Sequence, residues 1–289
     1  MKTLVLANQK GGVGKSAMAT LMSHHFAQQG QRVLAIDFDH QGNFSGSMRR
    51  SGRVLDAGIT ADRLLTGLVS VMPSAPLVLV GGDTPLSMLE LQAAQHTPFA
   101  RNLRHFLATM ERQFDVCVID TNPGPDIRVI SALVSADFVL SPIQLNQEAM
   151  EGVNGLLNHP RAGVRKIKAV LNPKLQLIGL LPTMVESSPF QRANFLQIVQ
   201  RYHPLLIRIG DGPGDFASIP RRSSIAEAQA NGEVLWEMKK SAARESWKEI
   251  EPTVRALARI VTGQQGQPHA QQAHLDSRSQ PGAGRDTAA

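Results

Sequence analysis

The stretch Asn8–Ser16 reads NQKGGVGKS and places two lysines five positions apart around three glycines. Gly11, Gly12 and Gly14 let a backbone close around phosphate oxygens, because residues without a Cβ can turn sharply and approach an anion closely. Main-chain amides of Gly11, Gly12, Val13, Gly14, Lys15, Ser16 and Ala17 would then face the anion, and the following helix adds its positive end. Lys15 is placed to reach the β and γ phosphates of a nucleotide, and the Ser16 hydroxyl to ligate magnesium. ATP and Mg2+ are therefore the expected cofactors. Lys10 is not required by that chemistry, and Gln9 stands where the ordinary phosphate-loop pattern has a glycine.

Such a loop needs a strand before it and a helix after it. Apolar runs at 4–7, 33–37, 77–80, 116–120, 138–143, 169–172, 178–182 and 205–209 read as strands covered on both faces. Between the first two, Met18, Leu21, Met22 and Phe26 follow the spacing of one buried helix face, and Gly30 supplies a stop. Strand, glycine loop, helix and strand open an α/β fold, expected here as a single doubly wound, mostly parallel sheet with flanking helices. The last helix is expected through Pro252–Val261, turning Val254, Leu257, Ala258 and Val261 inward. Residues 1–262 read as one domain. Residues 263–289 hold one large aliphatic side chain, Leu275, among Gln, Gly, Pro, Ala and polar groups, and read as a disordered tail.

KGGVGKS resembles the deviant phosphate loop of the ParA/MinD family of P-loop ATPases, and within it the ParA-type partition ATPases. The resemblance implies that Lys10 of each subunit crosses to the other subunit's nucleotide in an ATP-sandwich homodimer. VLAIDFDHQGN (33–43) is similar to the family's second motif, Asp-Leu-Asp-Pro-Gln-Gly-Asn. By that match Asp39 orients or polarises the attacking water and Asp37 supports the magnesium shell. His40 stands where proline is usual and is taken as a tolerated loop substitution rather than an acid or base. FDVCVIDTNPGPD (114–126) resembles the Walker B segment, with Asp120 holding magnesium through water; Asn122 departs from the family's Asp-Thr-Pro-Pro. IGLLPTM (178–184) and IPRRSSIAEAQANGEVL (219–235) resemble the final strands and the segment beside the adenine, which assigns Pro220 and Arg221 to a base-facing rim.

A net charge of +6 suits an acidic partner. No acidic residue occurs from Gly152 to Val185, where Arg161, Arg165, Lys166, Lys168 and Lys174 accumulate, and a second basic set follows. In the ParA family, basic residues of this later half contact double-stranded DNA without sequence preference, which makes Arg192, Arg222, Lys239 and Lys240 the candidate DNA contacts. The positions where family members often carry DNA-binding arginines hold Ser188 and Ser224. The resemblance further implies slow hydrolysis stimulated by a ParB-like centromere-binding partner, plasmid or chromosome partition, and a cytoplasmic protein that joins the nucleoid when ATP-bound. The alternative is the same switch acting on a protein cargo without DNA. A membrane is not an expected partner: no run reaches the ~18 apolar residues of a span, and no terminal amphipathic helix with bulky apolar residues is seen. The lone Cys117 lies in the apolar run Val116–Ile119, excluding a disulfide and a cysteine-held cluster and reading as a buried structural thiol.

Overall fold

In the first strand Leu4 and Leu6 point into one apolar layer and Val5 into the other, all three fully buried. The same alternation recurs in the second strand, where Leu34 and Ile36 face one layer and Val33 and Ala35 the other. A strand apolar on both sides needs helices on both sides, and the chain supplies them. The computed structural model describes residues 1–212 and 214–263. The expected tail, from residue 264 on, lies outside the described residues.

The strands are β1 (Lys2–Leu6), β2 (Val33–Asp37), β3 (Leu55–Thr60), β4 (Leu77–Gly81), β5 (Val116–Asp120), β6 (Phe138–Gln144), β7 (Gln176–Val185) and β8 (Ile219–Pro220). They form one eight-stranded sheet in the order β3-β4-β2-β5-β1-β6-β7-β8, with every strand pairing parallel. The helices are α1 (Lys15–Gln28), α2 (Asn43–Arg50), α3 (Asp62–Thr66), α4 (His96–Thr109), α5 (Ile127–Ser135), α6 (Ala149–Asn158), α7 (Val164–Lys166), α8 (Pro189–Tyr202), α9 (Ser223–Asn231) and α10 (Ser241–Thr262). Met18, Met22 and Phe26 of α1 share one layer with Phe44 of α2 and with Ile250, Val254, Leu257 and Val261 of α10. Helices α3 to α6 and α8 cover the opposite face through Leu64, Phe106, Leu133, Val153 and Ile198. Cys117 is fully buried, and burial pushes its thiol far above the ordinary range.

Three expectations are corrected. Residues 169–172 are not a strand: Ile167–Leu171 continues α7 as a wider helical turn, and Asn172 ends it by donating to the carbonyls of Leu133 and Ala136. Residues 205–209 form no regular strand either. They follow a tight turn at His203–Leu205 and make single bridges, Leu206 to Leu180 of β7 and Arg208 to Phe216 in the segment before β8. The last helix begins at Ser241, well before Pro252, and continues through that proline. Strand β3 was not expected: its sequence LDAGIT lies largely exposed at the sheet edge, and its register is broken around Gly58, whose φ is 72°.

Candidate nucleotide-binding site

Strands β1, β2 and β5 are neighbours, with Leu6 and Asp37 both level with Asp120. Their C-terminal ends thus gather the phosphate loop and the carboxylates at one edge, where parallel α/β sheets bind ligands. The loop between β1 and α1 turns through Gly12 and Gly14, at φ 73° and 87°, and Gly14 caps α1. Its entrance is braced from below. Asn8 Nδ2 donates to the Ser141 hydroxyl at 3.2 Å and the Pro142 carbonyl at 2.9 Å, while Gln9 Nε2 donates to the Gly155 carbonyl at 2.9 Å. Gln9, the departure from the ordinary motif, therefore fastens the loop to α6.

The two lysines take opposite directions. Lys15 is 6% exposed, and its Nζ donates to the Lys10 carbonyl at 3.1 Å. Burial holds its pKa below the usual lysine value, against the attraction of Asp120 and Asp39. Lys10 instead projects to the exposed rim and pairs with Glu148, which immediately precedes α6.

Asp120 is fully buried, and neither carboxylate oxygen has a hydrogen-bond partner. Burial and the neighbouring Asp37 raise its pKa well above the carboxylate range; the nearby Ser16 hydroxyl and Lys15 oppose the shift. Two orphaned buried oxygens beside a hydroxyl fit a hard divalent cation such as magnesium. Among the described residues no group of three His, Cys, Asp or Glu is placed to hold a metal. Such an ion would thus take its remaining ligands from phosphate and water, as magnesium commonly does.

Asp37 uses its oxygens differently. Oδ1 accepts from the Asp39 amide at 3.0 Å, and Oδ2 from the Ser45 amide at 2.8 Å and its hydroxyl at 2.7 Å. Burial still pushes its pKa up to about 6 against these bonds. The Ser45 hydroxyl also accepts from the Gly82 amide, and a Cβ on Gly82 would collide with the Asp39 carbonyl. Asp37 therefore fixes the turn that presents Asp39, whose Oδ1 accepts from the Gln41 amide at 3.0 Å. Ser45 and Gly82 carry no motif that sequence reasoning could seize.

Pro220 and Arg221 line a cavity of about 310 Å³ beside the phosphate loop, together with Gly14, Ala17 and Met184. Met184 sits at φ 53°, a left-handed conformation rare outside glycine and found preferentially at functional sites. Arg221 is exposed and pairs with Glu186 at 3.3 Å.

Of the candidate DNA contacts, Arg222 lines the same cavity as Pro220 and Arg221, and the four differ in their pairing. Arg222 donates to both Glu249 oxygens at 3.0 Å, and Lys240 pairs with Glu227. Arg192 and Lys239 are exposed without an ion pair among the described residues. Ser188 caps α8 by accepting from the Gln191 amide, and Ser224 is buried against Ser246 at 2.7 Å. Neither serine is a vacant surface position awaiting an arginine.

The AAA domain family matches residues 1–177. Protein IncC of Escherichia coli is 34% identical over 276 residues, covering 90% of this chain and 69% of its own. The chromosome-partitioning ATPase Soj of Thermus thermophilus is 31% identical over 245 residues, covering 81% and 87%. The structure of cobyrinic acid a,c-diamide synthase from Mycobacterium smegmatis with an ATP analogue and magnesium superposes at a TM-score of 0.70, with 24% identity over 93% of this chain and 99% of that one, a likeness of fold. Among the described residues no helix is long and apolar enough to cross a membrane. With its phosphate loop, its carboxylate-bearing strand ends and relatives of this identity over most of both chains, the chain belongs to the ParA/MinD family of P-loop ATPases.

Proposed function

We propose that the chain is a ParA-type ATPase that ATP joins into a sandwich homodimer, that the dimer binds double-stranded DNA without sequence preference, and that a ParB-like centromere-binding partner stimulates hydrolysis and release. Cycles of this kind would move plasmids or chromosomes apart. The observation that carries the reading is the division of labour between the two loop lysines. Lys15 is buried against its own loop, whereas Lys10 stands at the rim, held only by Glu148 and free to serve a nucleotide across an interface. The likeness to the chromosome-partitioning ATPase Soj supports the same reading.

In this scheme the loop amides and Lys15 hold the phosphates, Pro220 and Arg221 flank the base, and Ser16 with Asp120 holds magnesium. Magnesium, when bound, would supply positive charge that stabilises the phosphates, with Ser16 and Asp120 as its protein ligands. Asp39 orients the attacking water, and Asp37 supports the magnesium shell from behind by fixing the Asp39 turn. Asp39 orients the water rather than deprotonating it, so intrinsic turnover is slow and an activator completes the site.

DNA affinity tests the proposal. Anisotropy of a labelled random-sequence duplex, measured with ATP, with ADP and without nucleotide, should rise with ATP alone. The affinity should fall linearly on a log–log plot against salt, with a slope of about −0.9 per phosphate neutralised. Since exposed ion pairs contribute only ~0–1 kcal/mol, Arg222 and Lys240 can exchange their carboxylates for phosphates. No binding in any nucleotide state, with ATP-driven dimerisation intact, would transfer the assignment to a switch for a protein cargo. The capping role of Ser188 and the burial of Ser224 favour that second reading.

A further inference from the structure

His40 and Asn122 both stand where the family usually has proline, one in the loop bearing Asp39 and the other in the loop after Asp120. A proline fixes φ and stiffens a loop covalently; this chain has given up both constraints. The fold connects the two positions. Asn122 Nδ2 donates to Asp126 Oδ2 at 2.9 Å, and Arg128 Nε donates to the same oxygen at 3.0 Å. From there Arg128 Nη1 reaches His40 Nδ1 at 3.3 Å and the Phe38 carbonyl at 3.5 Å. Asp126 Oδ1 meanwhile caps α5 by accepting from the Arg128 amide at 3.0 Å.

Arg128 is only 6% exposed although it lies in the first turn of α5. A buried guanidinium is costly and persists where its donors are satisfied. Here one side of the fork is fixed on Asp126, while the other spans to the β2 loop. The guanidinium has donors only, so His40 Nδ1 must accept. That nitrogen is then not a donor to Asp39 Oδ1, 3.5 Å away, and the ring proton sits on Nε2; Gln41 Nε2 lies 2.8 Å from it, so the Gln41 amide is assigned turned over, with its oxygen accepting. His40 is held off Asp39 and anchored between Arg128 and Gln41.

We propose that Arg128 is a positioning residue for ATP hydrolysis, tying the loop that carries Asp39 to the loop after Asp120 so that both move as one unit. It replaces two backbone constraints with one side-chain bridge. The inference rests on the ATPase reading above and adds to it a residue outside the phosphate loop, acting through the loops that carry Asp39 and Asn122.

Arg128→Lys is the informative variant: a single ammonium can keep the pairing with Asp126, but it cannot also span to Phe38 and His40 in the fork's geometry. We expect kcat for ATP to fall about tenfold, with the Kd for ATP within about twofold of wild type and the melting temperature unchanged. His40→Ala, at a half-exposed position, should lower kcat about threefold, and the double variant should be no slower than Arg128→Lys alone, because both cut the same bridge. If Arg128→Lys does not fold, His40→Ala decides alone: its kcat loss with unchanged ATP affinity supports the bridge. A kcat within twofold of wild type in the variant that decides, a loss that appears only as weaker ATP binding, or losses that multiply in the double variant would overturn it. Absence of hydrolysis by the wild type would overturn the ATPase reading and the bridge with it.

Discussion

Lys15→Ala is expected to weaken ATP binding by at least about a hundredfold at saturating magnesium, as read by calorimetry. The reason lies in the burial of the ammonium. Lys15 has already been withdrawn from water, and desolvation lowers its pKa against the attraction of Asp120 and Asp39. A charge desolvated in advance binds phosphate without first shedding a full hydration shell, and a hydrogen bond to a charged group contributes roughly 1.5–3 kcal/mol. At about 1.4 kcal/mol per tenfold, two such bonds to the β and γ phosphates correspond to the expected loss. Its present bond to the Lys10 carbonyl is a neutral acceptor that phosphate displaces. An affinity within about threefold of wild type would remove Lys15 from the phosphate site and with it the nucleotide assignment of the loop.

The same geometry explains the coupling of phosphate and metal. Asp120 and Asp37 lie level in register at adjacent strand ends. Burial raises the pKa of Asp120, with the Asp37 carboxylate adding to the shift. A divalent ion accompanying the nucleotide would neutralise that cluster, so on the proposed function nucleotide and magnesium would stabilise one another's binding.

The phosphate loop and the Asp120 strand end were legible in the sequence because each is local: a few residues of fixed type between a strand and a helix. A doubly covered, mostly parallel sheet followed from apolar runs that could not face water on either side, and in the structure every pairing is parallel. Runs 169–172 and 205–209 misled because four or five apolar residues do not distinguish a strand from a buried helical turn or an irregular segment. Gly179 shows what they lacked. The 205–209 segment runs so near β7 that a Cβ there would come within 2.6 Å of the Leu205 carbonyl oxygen, a long-range constraint with no local signature. Strand β3 was hidden by the opposite fault, polar and glycine residues at an edge. Pro252 suggested a helix start, yet the apolar face of α10 continues back through Ile250 and Ala243 and carries the helix across it. The bridge from Asn122 to His40 was visible only as two separate departures from a family pattern; the side chain that joins them lies on a third element.

Lys10→Ala should leave monomeric ATP binding within about threefold of wild type while abolishing ATP-driven dimerisation. Two features separate it from Lys15. The Lys10 backbone is fixed independently of its side chain, its amide donating to Asn8 Oδ1 at 2.8 Å and its carbonyl accepting from Lys15. Truncation at Cβ therefore leaves the loop standing. The side chain itself is held by one exposed carboxylate, and a pair of that kind is worth at most ~1 kcal/mol, little enough for a partner's γ phosphate to outcompete. A cation delivered across an interface to a transferring phosphoryl group accounts for ~10³–10⁵ in kcat in other phosphate-loop enzymes, so hydrolysis should fall by at least about a hundredfold. Sedimentation velocity with ATP and with a slowly hydrolysed analogue reads the association directly. Normal dimerisation of the variant would show that Lys10 serves only its own rim and its pairing with Glu148, and the sandwich would have to be assembled by other residues.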